Sequence, residues 1–281
     1  MKKIAVVADS GIDLPEEYKK ENVFILPLKV IRDGVEYLDG VTISPEQVVG
    51  DLAEHDYKTS LAGPGEISDF LTKVRDQGYG QVIAICISSG LSGTYNAFCL
   101  AAGEVKDLEI EVIDTLSIGL GAGIHAVAAI DMLASGKNFA DTVKLLRSNI
   151  AKSKVYFCVG TLEYLIKGGR IGKISGFVGK LLHIKPVITC DFEGIYTTVA
   201  KARGKLQGLN NIIDLIVNNF KGYAHIYIGI AQTRSAEDLK YVKEEIGKRL
   251  KNIDALFTGT VSPALTVHAG PELIGITAYP K

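Results

Sequence analysis

Val82-Ile83-Ala84-Ile85-Cys86, running into Ile87-Ser88-Ser89-Gly90-Leu91-Ser92-Gly93-Thr94-Tyr95, is the stretch on which the reading of this chain turns. A continuous apolar run ending in a turn describes a strand buried on both faces, as parallel sheets require. Tyr95 to Glu104 favours a helix. Gly90 and Gly93 permit a sharp strand-to-helix turn and let a ligand approach the backbone. The turn gathers hydroxyls and helix N-terminal amides around one point, which suits an anion.

Outward from that stretch, strands and helices alternate. Ile4–Ala8, Phe24–Val30, Val82–Ile87 and Ile110–Ile113 read as strands. Pro15–Glu21, Pro45–Glu54, Glu66–Gln77, Tyr95–Glu104, Gly119–Ser135 and Phe139–Ala151 read as helices. This alternation predicts a parallel sheet with helices on both faces, in an α/β/α unit over residues 1–152. Ligands on such sheets sit beyond the carboxyl ends of the strands, where Asp9-Ser10, Ser88–Thr94 and Asp114-Thr115 fall. Strand-like runs dominate after residue 152, and Asp191-Phe192-Glu193-Gly194 reads as a hairpin turn joining two of them. A second, α+β unit with a mostly antiparallel sheet over residues 153–281 is expected, with a cleft between the two.

The 281 residues are 47% hydrophobic and 22% charged, and 31 basic against 32 acidic side chains leave a net charge of −1. Nucleic-acid binding, which shows a basic excess, is not expected. No apolar run approaches the ~18 residues of a membrane span, and the N-terminus enters a strand with no signal-peptide pattern, so a cytoplasmic protein is expected. Cys86, Cys99, Cys158 and Cys190 form no CxxC pair and read as buried free thiols, with no metal or other cofactor implied.

Several motifs admit two readings. Asp13-Leu14-Pro15-Glu16 has the form of a capping box, and Asp9-Ser10 suits either a loop tie or an anion or metal ligand. Gly119-Leu120-Gly121-Ala122-Gly123 imitates a dinucleotide fingerprint with the wrong spacing, and no GxxxxGK[ST] loop exists. Ser92 approximates the G-x-S-x-G nucleophile elbow with Thr94 in the last position, and His268 follows in the Ser…His order of α/β-hydrolases. A serine esterase or thioesterase using Ser92 and His268 is thus the rival to a binding role, although no acid is clearly placed to orient His268. From Lys167 to Lys205, eight cationic side chains face Asp191 and Glu193 alone, which suits a solvated face or a docking surface for an acidic partner.

Together these segments resemble the DegV family, the fatty-acid-binding proteins that serve bacterial fatty acid kinases. The resemblance runs over essentially the whole chain, through Asp9-Ser10, Asp13-Leu14, Pro27-Leu28, Tyr37-Leu38-Asp39-Gly40, Thr59-Ser60 and Ile87–Tyr95. It continues in Val112-Ile113-Asp114-Thr115, Leu162–Ile171 with Lys167-Gly168-Gly169-Arg170, Arg203 and His268-Ala269-Gly270-Pro271. It implies two domains with one long-chain fatty acid (roughly C14–C18) between them, and a separate kinase catalytic subunit that converts the carboxylate to an acyl phosphate. Carried over by motif, Thr59, Ser60, Ser92, Thr94 and His268 bind the carboxylate. Arg170 and Arg203 match arginines near its mouth, facing phosphate and partner. The family's Thr-Ser-Gln-Pro is here Thr59-Ser60-Leu61-Ala62, so a glutamine contact at the head group is missing. Phe177-Val178-Gly179 and Leu181-Leu182 are expected in the pocket wall.

Overall fold

The computed structural model describes residues 2–177 and 184–281. Strand β1 (Lys3–Asp9) pairs in parallel with β2 (Val23–Leu26), after which the chain leaves that sheet. It builds a small antiparallel sheet from β3 (Lys29–Arg32), β4 (Val35–Leu38) and β5 (Tyr57–Ser60), with helix α1 (Pro45–Asp51) in between. After α2 (Pro64–Asp76), β6 (Tyr79–Cys86) returns beside β1; α3 (Thr94–Ala102) and β7 (Glu109–Asp114) complete a parallel sheet of order β2-β1-β6-β7. Helices α4 (Leu120–Ala134) and α5 (Phe139–Ile150) lead to the second sheet.

That sheet holds β8 (Lys154–Cys158), β9 (Ile184–Cys190), β10 (Tyr196–Arg203), β11 (Ile226–Gln232), β12 (Ile253–Thr260) and β13 (Ile274–Pro280). Its order is β10-β9-β8-β13-β11-β12, with only the β11–β12 pair parallel. The short α6 (Glu163–Lys167) follows β8, α7 (Lys205–Phe220) and α8 (Ala236–Arg249) cover the outer face, and α9 (Pro263–Ala269) precedes β13. The fold is mixed α/β, and the Asp191–Gly194 turn does join two antiparallel strands. Among the described residues no helix is long and apolar enough to cross a membrane.

The layers follow from strand alternation. On β1, Ala5 and Val7 face a core with Ile67, Leu71 and Phe98 of α2 and α3, while Val6 and Ala8 face α4. Helix α4 is buried continuously from Leu120 to Ile130, as expected of a helix that is apolar on all sides. It lies between the sheets, and one hydrophobic cluster passes from Val6 and Ile83 through α4 to Phe157, Tyr227 and Tyr279. The units thus share a continuous core.

Four expectations are corrected. Phe24–Val30 is two strands of different sheets, because Pro27 has no N–H for a ladder and breaks the run. Pro15–Glu21 is only a single 3-10 turn, Glu16–Tyr18, with no side-chain cap. Asp13 caps no local helix; it adopts φ 48°, and its carboxylate accepts from Ser262 N. Of the thiols, Cys86 and Cys158 are buried, Cys190 is half-buried and Cys99 is exposed.

The glycines of the 119–123 stretch serve close packing. A Cβ on Gly123 would lie 2.3 Å from the carbonyl oxygen of Ile12. Gly123→Ala is therefore expected to cost about 2 kcal/mol or more, as overpacking against a rigid neighbour does. Urea unfolding measures it, and a midpoint unchanged from the parent would contradict the packing described.

Candidate functional site

Beside the N-terminal end of α4 the middle layer is hollow. A cavity of about 250 Å³ is lined by Leu28, Ile87 and Ile118 on one side and by Val155, Phe157 and Ile276 on the other. Gly229, Ala231 and Gly275 line the second-sheet side, where Gly229 permits close approach of Leu120. Leu61, standing where the family has glutamine, also faces it and makes this stretch of wall apolar.

Polar side chains of both units converge at one region of the lining: Thr59 and Ser60 at the end of β5, Ser92 in the turn before α3, Arg170 after α6, and His268 on α9. Thr59 Oγ1 lies 2.7 Å from His268 Nε2. His268 Nδ1 is buried without a partner. A buried N–H left unmade is the costlier orphan, so we assign the proton to Nε2, which donates to Thr59 Oγ1. The threonine hydroxyl hydrogen is then free to turn into the cavity. Burial, with the Arg170 guanidinium nearby, holds the His268 pKa down to about 4 and keeps the ring neutral at pH 7.

The hydroxyls are held in turn by their surroundings. Ser92 Oγ lies 2.8 Å from Thr94 Oγ1 and accepts from Thr94 N at 3.3 Å. Thr94 itself is buried at the start of α3 and absent from the lining, so it orients Ser92. Ser60 is exposed at the rim. Arg170 donates through Nη1 to Gly168 O at 2.7 Å and through Nε to Leu91 O at 3.4 Å, tying the serine turn to the second unit. Arg203 is exposed on β10 and contributes nothing to the wall.

His268 is placed by acids from the other unit. Asp13 Oδ1 accepts from Ser262 N at 3.0 Å, and Asp39 Oδ1 accepts from Ala264 N at 2.8 Å. Together they satisfy first-turn amides of α9. Asp39 Oδ2 accepts from Ser10 Oγ, which in turn accepts from Leu28 N. Asp9 ties Gly11 N and Ile87 N, so the Asp9-Ser10 pair fastens loops. Burial raises the pKa of Asp13 and Asp39, and that of Asp9 to about 7. Among the described residues no group of three or more His, Cys, Asp or Glu is arranged for a metal ion.

The arrangement lacks the relay of an acyl-transfer enzyme. Ser92 bonds Thr94 and His268 bonds Thr59, while Nδ1 of His268 has no acid to orient it. Much of the cationic stretch is locally paired: Lys173 with Asp191 and Glu193, Lys205 with Asp238, and Lys167 with Asp56. Val178, Gly179, Leu181 and Leu182, expected in the wall, lie outside the described residues, as does the side chain of Phe177.

Sequence reasoning named Asp39 and Gly168 within motifs but gave neither a role. Asp39 had no local helix to cap. Gly168 is glycine because a Cβ there would fall 2.0 Å from His268 Nδ1. Gly168→Ala should push the imidazole off Thr59 into a wetter position. Its titration, followed by NMR, should move from about 4 up toward the ordinary ~6.5. A histidine still titrating near 4 in this variant would contradict the geometry.

Comparison with known proteins places this arrangement. Residues 3–281 match the DegV family of uncharacterised proteins. A DegV domain-containing protein of Clostridium acetobutylicum is 37% identical over 282 residues, covering both chains completely. Among solved structures, a DegV family protein of Thermus thermophilus, described for its fatty acid binding, superposes with a TM-score of 0.94 at 27% identity over the full length of both chains. A stearic acid-binding protein of Eubacterium ventriosum superposes with a TM-score of 0.86 at 27% identity, covering 100% of this chain and 99% of that one. By sequence and by fold alike, the chain belongs to the DegV family.

Proposed function

We propose that this protein holds one long-chain fatty acid non-covalently and presents its carboxylate to a separate ATP-dependent fatty acid kinase. The carrying observation is the cavity: apolar walls from both sheets, with Thr59, Ser92, Arg170 and His268 gathered at one region of them. The fatty-acid-binding relatives support the same reading. A chain of about fifteen methylenes gains roughly 0.8 kcal/mol for each one buried, on the order of 12 kcal/mol gross. Association and ordering costs remove a large part of that. The tail thus supplies affinity, and the hydroxyls fix which end lies at the polar region.

In this reading Thr59, relieved of its acceptor role toward solvent by His268 Nε2–H, donates to one carboxylate oxygen. Ser92, steadied by Thr94, donates to the acid beside it from the same unit, and bonds to an ionised acceptor are the strong ones. Neutral His268 adds no fixed charge that would trap the ligand. A carboxylate oxygen attacks the γ-phosphoryl group of ATP held by the kinase, ADP leaves, and the acyl phosphate stays bound. Arg203, exposed on β10, faces the partner and the transferred phosphate. The protein itself carries out no chemistry and works in the cytoplasm.

The double variant Thr59→Ala/Ser92→Ala should lose most of its bound lipid while keeping its fold, since each bond to a charged group contributes about 1.5–3 kcal/mol. Unchanged lipid content in the double variant would remove the head-group assignment. Arg203→Ala should retain lipid and slow phosphoryl transfer in the presence of the kinase. Lipid lost from Arg203→Ala, with transfer otherwise normal, would reverse the division of roles.

A further inference from the structure

The cavity has a direction, given by the register of the second sheet. Thr233 Oγ1 donates to Gly270 O, at the end of α9, and accepts from Leu273 N, so Leu273 lies beside the helix that carries His268. From Leu273 to Thr277 the chain advances roughly 13 Å at the rise of a strand. Leu273, Gly275 and Thr277 all line the cavity. Thr277 pairs with Gly229 of β11 on one side and with Val155 of β8 on the other, and among the described residues this rung is the far end of the sheet's lining. Two residues further along β13, Tyr279 packs against His125 of α4. Two residues back along β11, Tyr227 donates to Asp131 of the same helix. Helix α4 thus fills the space beyond the rung, and Leu120, its buried first residue, closes the hollow.

This floor is apolar and closely fitted. A Cβ at position 229 would lie 2.7 Å from Leu120 Cγ, Leu120 Cδ2 and Thr277 Cγ2, so the leucine seats directly on the backbone of Gly229. Thr277 turns its hydroxyl to Lys154 O at 2.9 Å and leaves its methyl beside the glycine. An acyl tail whose carboxylate lies at His268 therefore runs toward Leu120. Each added methylene gains affinity only while there is wall to cover it. Past the floor, the next one has to displace a packed leucine or fold back on the chain. We infer that Leu120, seated on Gly229, sets the longest straight acyl chain that this protein accepts. The inference rests on the fatty-acid reading above and names the feature of the acid that the far end of the cavity measures, its length.

The test is competition of saturated acids from C12 to C20 against a fluorescent fatty-acid probe on the delipidated full chain, with Leu120→Ala and Gly229→Ala in parallel. In the parent protein affinity should rise about fourfold per added carbon, the ~0.8 kcal/mol of one buried methylene, and then stop rising at a definite length. Leu120→Ala should move that break to longer acids by about two carbons, because three carbons have left the floor. Gly229→Ala should move it to shorter acids, because the new Cβ drives Leu120 into the hollow. Shifts in opposite directions set this apart from a loosened fold, which lowers affinity at every length alike. Affinity that keeps rising through C20 in the parent overturns the inference, and that result does not depend on how either variant folds. A break that stays at the same length in both variants overturns it too. A parent protein that binds none of the acids removes the fatty-acid reading itself, and this inference with it.

Discussion

The bonds that Asp13 and Asp39 accept from the first turn of α9 hold the site together. Both acids belong to the first unit, and the helix they cap carries His268 of the second. A seven-residue helix has little stability of its own, so its position is set by whatever satisfies its ends. Here that is a pair of carboxylates delivered by loops far away in sequence. His268 is thereby brought to Thr59, and the polar end of the cavity exists only while the two units are joined. The raised pKa values of these acids are the cost of burying them at such a junction.

The cavity depends on the same junction. Helix α4 fills most of the space between the sheets, and it approaches Ile12 closely only because position 123 has no side chain. Where α4 begins, Gly229 lets the Leu120 side chain close onto the second sheet, because a Cβ there would fall 2.7 Å from Leu120 Cγ. Missing side chains therefore serve the packing of α4 on both sides: Gly123 admits the backbone of Ile12, and Gly229 admits Leu120. Ser88 Oγ, which donates to Gly194 O at 2.8 Å, fastens the serine turn to the hairpin of the second unit and closes another edge of the junction.

How much of this was legible varied with the range of the interactions involved. Alternation and apolar runs predicted the parallel sheet, because strand burial leaves its mark on neighbouring residues. The Asp191–Gly194 hairpin was equally local. Asp13 was misread for the opposite reason: Glu16 three residues on suggested a capping box, while the true partner, Ser262, is 249 positions away. The three-stranded sheet hid behind Pro27, whose missing N–H divides a run that looks continuous by hydropathy. Thr59, Ser92, Arg170 and His268 were named from motifs and share one cavity. The need for glycine at 168 became visible only once His268 was seen beside it. Arg203, carried by motif alone, lies apart from the wall.

The central claim is that this cavity holds a fatty acid, carboxylate at the Thr59–His268 end. Native mass spectrometry of the freshly purified protein, followed by denaturation and identification of what is released, tests it most directly. The account predicts one equivalent of a non-covalently bound long-chain acid per protein, set free intact on denaturation. A protein that is purified empty and takes up no added fatty acid would contradict it.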